Sequence, residues 1–196
     1  MLICILLHWV NRSTVMAISS DFASASQWDK NESLLKAAWK NDLEGVRSLL
    51  EAGANARTKE VDGATALHYA ARHDNPEMAK LLIDKGADAN EGNQDARTPL
   101  FYARGSAVAQ LLIEARAVVG ARTMQGWTPL HEAVETQNAD VAKLLVAHGA
   151  NPFLPCLTGE TPADIANKRR YKEISALFEN VEPGMKAAAP GRSFTP

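Results

Sequence analysis

The amino-acid sequence predicts an all-α solenoid built from helix-turn-helix units. A short pattern recurs along the chain as TALH at residues 65–68, TPLF at 98–101, TPLH at 128–131 and TPAD at 161–164. A small residue lies two places before each copy, at intervals of 33, 30 and 33 residues: Gly63, Ala96, Gly126 and Gly159. A period of this size is typical of a repeat array, in which neighbouring units bury a shared core.

The same residues indicate where the two helices of each unit begin and end. The threonine of each copy is expected to cap a first helix, and a proline at the first helical position loses no hydrogen bond because that amide would be unpaired anyway. Leucine pairs mark a second helix and the shared core, at residues 49/50, 81/82, 111/112 and 144/145. Gly53, Gly86 and Gly149 are expected to end the second helices in a left-handed conformation, which glycine adopts without steric cost.

The third unit departs from the pattern in two ways. Leu100 and Leu111 are eleven residues apart, whereas the equivalent Leu67 and Leu81 are fourteen apart, which predicts a shortened turn between its helices around residues 104–106. Arg116 stands where the other units have glycine, and a non-glycine residue in a left-handed conformation costs about 1 kcal/mol. Either this helix ends in a different geometry or the unit is the weak joint of the array.

The units at both ends are expected to act as caps. The first lacks the Thr-Pro pair and presents Lys36 and Lys40, and the last has Ala163-Asp164 where other units have Leu-His. Residues 181–196 contain Pro and Gly without an apolar period and are expected to be disordered. The predicted domains are an N-terminal extension at 1–30, a repeat domain at 31–180 with units at about 31–61, 62–94, 95–125, 126–158 and 159–180, and the C-terminal tail at 181–196.

The extension leaves three alternatives open. Residues 1–10 (MLICILLHWV) are apolar but are about half the roughly 20 residues that a membrane-spanning helix needs, so no membrane span is predicted. Met16 could be the true start, which predicts a cytoplasmic protein with a disordered leader. Residues 1–25 could be a cleaved signal peptide, which predicts a secreted or periplasmic protein, although a basic first segment is missing. The segment could also be a small interfacial anchor.

Composition gives little support for other classes of partner. The chain has 21 Lys and Arg against 23 Asp and Glu, so its bulk charge does not predict nucleic acid as a partner. The basic run at residues 168–172 is interpreted as a solvated turn of the last unit. Cys4 and Cys156 match no metal-ligand spacing, and neither a cofactor nor a metal site is predicted.

The repeated segments resemble the ankyrin repeat family. The resemblance is carried by GATALHYAA (63–71), TPLFYA (98–103), GWTPLHEAV (126–134), LLEAGAN (49–55), LLIDKGADAN (81–90) and LLVAHGANP (144–152). It covers about residues 31–180 and implies about five units joined by hairpin-like finger loops. It also implies that His68 and His131 bond backbone groups of successive loops instead of forming a catalytic or metal site, and that Asn90 braces a loop.

The resemblance implies a binding surface on the concave side, made of the finger loops and the first helices. Trp127 is the first candidate because exposed aromatic residues and arginine dominate binding hot spots. Tyr69 and Tyr102 hold equivalent positions and could extend an aromatic strip, although such rings could instead pack between repeats. The other predicted partner-binding residues are Trp39, Arg72, His73, Arg97, Arg122, Met124 and Glu135.

The function predicted from these residues is a non-enzymatic module that binds a protein partner of unknown identity. A monomer is expected, with no catalytic residue. The alternative is a dedicated inhibitor or regulatory subunit of one enzyme, which could be exported. The two differ in the compartment that they require, so the true N-terminus would separate them.

Overall fold

The regular structure of the described residues is helical, as predicted. The computed structural model describes residues 12–179 and 181, with side chains from residue 26 onward. A single isolated β-bridge, between Lys59 and Thr65, lies in the described part. The helices are α1 (Arg12–Trp39), α2 (Leu43–Glu51), α3 (Ala66–Arg72), α4 (Pro76–Asp84), a 3₁₀ helix (Pro99–Tyr102), α5 (Ser106–Glu114), α6 (Pro129–Glu135), α7 (Ala139–Ala147), α8 (Pro162–Arg169) and α9 (Lys172–Glu179).

The helices pack as pairs, and each pair stacks on the next. Helices α1 and α2, α3 and α4, α6 and α7, and α8 and α9 pack within units, while α3 contacts α1 and the 3₁₀ helix, and α6 contacts α8. The second leucine of each predicted pair lies in the core between units: Leu50, Leu82, Leu112 and Leu145. The first leucine of each pair is half-buried at the edge of that core. The predicted shared core is therefore confirmed.

The helix starts confirm the predicted caps at Thr65, Thr128 and Thr161, whereas the side chain of Thr98 forms no capping hydrogen bond. The backbone N–H groups of Thr65 and Thr128 each donate to the Nδ1 atom of the histidine three residues later, at 3.1 Å, and the threonine hydroxyls lie 2.9 Å from the same atoms. Thr161 forms the equivalent cap with Asp164, whose Oδ2 accepts the Thr161 N–H at 3.0 Å. The cap in the last unit is therefore closed by a carboxylate instead of an imidazole.

The second helix of the third unit ends in the same geometry as its neighbours. Gly53, Gly86 and Gly149 each have φ near +88°, and Arg116 has φ +65°. The hydrogen bonds also agree, because the Ala117 N–H donates to the Leu112 carbonyl at 2.9 Å, as the equivalent alanines do in the other units. Arg116 therefore occupies the strained conformation, and the alternative of a different helix end is excluded.

The prediction of a shortened turn in the third unit was wrong, because the first helix is shortened instead. Helix α3 has seven residues and the 3₁₀ helix has four, which accounts for the three missing residues. Three residues separate the two helices in both units, at 73–75 and at 103–105. Helix α5 keeps nine residues, which buries Val108 and Leu112 in register with the neighbouring units. The deficit therefore falls on the first helix.

Helix α1 begins at Arg12, so residues 12–30 of the expected N-terminal extension belong to this helix. Its side chains contact the end of the first unit, because the Gln27 amide donates to the Gly53 carbonyl at 2.9 Å and Asn31 Oδ1 accepts the Asn55 N–H at 2.8 Å. The unit boundaries given above stay predictions. The expectations for residues 1–11 and for the tail at 182–196 lie outside the described residues.

Candidate partner-binding surface

Four finger loops project from the array, each closed by one equivalent backbone hydrogen bond. The donors and acceptors are Glu60 N–H to the Ala64 carbonyl, Asn93 to Arg97, Thr123 to Trp127 and Cys156 to Glu160, at 2.8–3.0 Å. The left-handed residue at each tip is a glycine except in the third unit, where Ala96 has φ +60°. The loops are therefore hairpin-like, as the sequence resemblance implied.

His68 and His131 join successive fingers. Since Nδ1 of each ring accepts from its threonine, Nε2 carries the proton and donates to the carbonyl of Arg97 at 3.0 Å or of Glu160 at 3.3 Å. Burial lowers the pKa of His131 to about 4 and also lowers the pKa of His68, so both rings are neutral near pH 7. The structural role predicted for these histidines is confirmed. The third unit has Phe101 at this position and makes no such bond.

Trp127 is half-buried in the finger of the fourth unit, and its indole packs against the ring of His131. The indole and the His131 ring are 5.6 Å apart between centroids, with an interplanar angle of 30°. Its backbone N–H donates to Thr123 Oγ1 at 3.1 Å. Arg122 donates from Nη2 to the Pro155 carbonyl at 2.8 Å, and Met124 is 69% exposed at the finger tip.

Tyr69 and Tyr102 differ in exposure despite their equivalent positions. Tyr69 is buried, and its hydroxyl donates to Glu60 Oε2 at 2.7 Å, which leaves little of the ring for a partner. Tyr102 is half-buried, its hydroxyl accepts from Asn93 Nδ2 at 3.0 Å, and its ring meets His68 edge-on at 5.6 Å. Burial raises the pKa of both phenols, so both stay protonated. The two rings therefore do not form a continuous exposed strip.

The remaining predicted residues fall into two groups. Arg97 forms an ion pair with Glu132 of the next unit at 2.8 Å, and Glu135 pairs with Arg169. Trp39 and Arg72 are exposed at the ends of first helices, beside His73, whose Nε2 lies 2.8 Å from the Trp39 carbonyl. The first group holds neighbouring units together, whereas the second is open to solvent.

The shortened helix of the third unit opens a cleft of about 860 Å³. Its lining includes Tyr102, Arg72 and Glu132. It also includes residues that the sequence did not single out as candidates: Arg104, Asn138 and Asp140. The sequence contained one signal for this cleft, the three-residue deficit of the third unit. A deficit in the loop between the helices, as predicted, would have left the first helix at full length and the cleft closed.

The described residues contain no group of three or more His, Cys, Asp or Glu side chains that could hold a metal ion. No helix among them is long and apolar enough to cross a membrane.

Over the described residues, fold and surface define a helical repeat scaffold with finger loops. Family models agree: one described as "Ankyrin repeats (3 copies)" matches residues 34–123, and one described as "Ankyrin repeat" matches residues 125–156. The chain belongs to the ankyrin repeat family. Ankyrin repeats are generally non-enzymatic modules for protein–protein interaction.

The chain is also similar to individual curated proteins. It is 35% identical over 152 residues to the tyrosine-protein kinase Shark of Drosophila melanogaster, which is 75% of this chain and 16% of the kinase. It is 35% identical over 78 residues to the putative ankyrin repeat protein YahD of Escherichia coli, covering 37% of this chain and 39% of that protein. A putative ankyrin repeat protein of Rickettsia bellii is 28% identical over 153 residues, covering 77% and 68%. The chain spans less than half the length of the first two relatives.

Proposed function

We propose that the chain is a non-enzymatic module that binds one protein partner through its concave face, with Trp127 as the central anchor. The observation that supports this is the half-exposed indole held against His131, with Met124 exposed at the same finger. A large aromatic side chain whose orientation is already fixed loses little conformational entropy on binding, so it contributes more net affinity than a mobile one. Tyr102 and Arg72, which line the cleft of the third unit, extend the contact surface.

A capture experiment with matched variants tests this proposal. Wild type, Trp127→Ala and Val118→Ala are immobilised and exposed to extract of the native source, and retained proteins are identified by mass spectrometry. Val118 is 55% exposed and is outside the predicted surface, so it controls for the loss of exposed apolar area. We expect proteins retained by wild type and Val118→Ala to be lost from Trp127→Ala, because hot-spot aromatics carry a large share of binding energy.

Circular dichroism melting separates binding from folding in the same variants. Trp127→Ala is expected to retain a cooperative transition. Retention of all partners by Trp127→Ala, or their loss together with the folded state, would contradict the proposal.

We further propose that the module acts in the cytoplasm. Intact mass of the protein purified from its native source distinguishes a start at Met1, a start at Met16 and a chain cleaved near residue 25. A chain cleaved near residue 25 would contradict a cytoplasmic location.

A further inference from the structure

The finger tips form a ladder of backbone hydrogen bonds with a free end. In each of the last three fingers, the residue two places before the tip glycine or Ala96 donates its N–H to the carbonyl of the preceding finger. The three bonds are Gln94 to Asp62 at 2.8 Å, Met124 to Asp95 at 3.3 Å and Leu157 to Gln125 at 2.9 Å. The equivalent donor of the first finger is the N–H of Val61.

The Val61 N–H has no acceptor within the described residues, because no finger precedes it. Helix α1 runs where the first unit would otherwise have a finger, so the ladder stops at Val61. A backbone donor at the open end of such a ladder is available to a carbonyl group of another chain, as at the edge of a sheet.

An apolar cleft lies beside this open donor. It has a volume of about 650 Å³ and lies between α1 and the first finger. Leu35 is buried in its wall, whereas Trp28 and Val61 are 65% and 96% exposed. Two large apolar side chains this exposed around one concavity are unusual on a surface without a function.

The rim of the cleft carries three acidic side chains, Glu32, Glu60 and Asp62, against two lysines. Both of its lysines are already paired, Lys36 with Glu32 and Lys59 with Glu91, each at 2.5 Å. Glu60 and Asp62 also line the cleft, and neither forms an ion pair with a residue that the structure describes. Glu60 accepts the Tyr69 hydroxyl, and Asp62 accepts the Ala64 N–H, so both carboxylates are held in place.

We propose that this edge binds an extended segment of the partner protein that carries a large apolar residue next to a lysine or arginine. A carbonyl of the segment accepts the Val61 N–H, the apolar side chain enters the cleft against Trp28, and the basic side chain meets the carboxylates of Glu60 and Asp62. The charge of the rim selects a basic segment over an acidic one. The inference rests on the proposed function and adds the chemistry of the partner.

The test uses nuclear magnetic resonance on the full ¹⁵N-labelled chain with a defined peptide. The probe is acetyl-KVRLKV-amide, and acetyl-EVELEV-amide is the acidic control. We expect the basic peptide to shift the Val61 amide and the Trp28 indole N–H, while the bonded amides of Gln94, Met124 and Leu157 move little. The acidic peptide is expected to shift none of these resonances. Raising the salt concentration should weaken binding of the basic peptide.

Matched variants locate the binding on the protein. Trp28→Ala should weaken binding of the peptide by about fivefold or more, whereas Val118→Ala should change it by less than about twofold. Val118 is 55% exposed and does not line the cleft. Asp62→Asn keeps an oxygen that accepts the Ala64 N–H and removes the negative charge. It should therefore weaken binding of the basic peptide by about threefold or more.

Several outcomes would overturn the inference. Equal effects of Trp28→Ala and Val118→Ala, or equal shifts with both peptides, would show that the cleft does not select this chemistry. Shifts of the Val61 amide with protein concentration alone would assign the edge to a second copy of the chain. Shifts on deletion of residues 182–196 would assign it to the chain's own tail. In each case the Trp127→Ala capture result would still decide the proposed function separately.

Discussion

Replacing Arg116 by glycine should stabilise the protein. Arg116 has φ +65°, a conformation that costs a residue with a Cβ atom roughly 1–2 kcal/mol. Glycine avoids this cost. It also makes the unfolded chain more flexible, which lowers the free energy of unfolding by about 0.4–1 kcal/mol. The side chain is exposed and has no ion pair in the described part of the chain, so its loss adds little. The expected net gain is therefore about 0.5–1 kcal/mol.

Urea denaturation followed by circular dichroism measures this gain. With a slope of about 2 kcal/mol per molar urea, the midpoint should rise by about 0.2–0.5 M while the slope is unchanged. The reverse change in the second unit, Gly86→Arg, is the matched control and should lower the midpoint by a similar amount. Glycine 86 has open space where a Cβ would lie, so a clash does not confuse the comparison. A lower midpoint for Arg116→Gly would refute the assignment of strain to this residue.

Two further changes test the bonds between units. Acidification should destabilise the fold through His131, because burial lowers its pKa to about 4 in the folded chain from 6.5 in the unfolded chain, so the unfolded chain binds the proton first as pH falls. The free energy of unfolding should fall by about 3 kcal/mol between about pH 7 and pH 4. Urea midpoints measure this fall, and a His131→Gln variant with the same pH dependence would contradict the role of His131. Asn90→Ala should cost about 1–2 kcal/mol, because its amide donates to the Arg116 carbonyl at 2.9 Å and accepts the Val118 N–H at 2.7 Å. Gln110→Ala is its control, since that amide bonds only Glu114 of the same helix; an equal cost for both in denaturant titration would show that Asn90 does not brace the loop.

The repeating residues of the sequence predict the scaffold because each has one local role. Thr65 caps a helix and Gly86 ends one within the same unit, and His68 reaches no further than the loop of the next unit. The third unit shows where this reasoning fails. The count from Leu100 to Leu111 reveals a deficit, but the burial of Val108 and its neighbours decides which element is shortened.

The candidate surface was harder to predict than the scaffold. Tyr69 and Tyr102 are indistinguishable by position, yet their hydroxyls meet Glu60 in one unit and Asn93 in the next, and only the first ring is buried. The sequence did not indicate the Val61 N–H as a binding group, because an unpaired backbone N–H does not depend on which side chain the residue carries. It becomes visible only when the equivalent amides of the other fingers are seen to be bonded.

The histidine bonds divide the array into two blocks. His68 ties the second unit to the third and His131 ties the fourth to the last, but Phe101 makes no such bond from the third unit to the fourth. Across that junction the described residues include two side-chain bonds, the half-buried ion pair between Arg97 and Glu132 at 2.8 Å and the Asn138 amide, which donates to the Arg104 carbonyl at 2.6 Å. The two halves of the solenoid are therefore coupled partly through an ion pair, whose contribution falls as ionic strength rises.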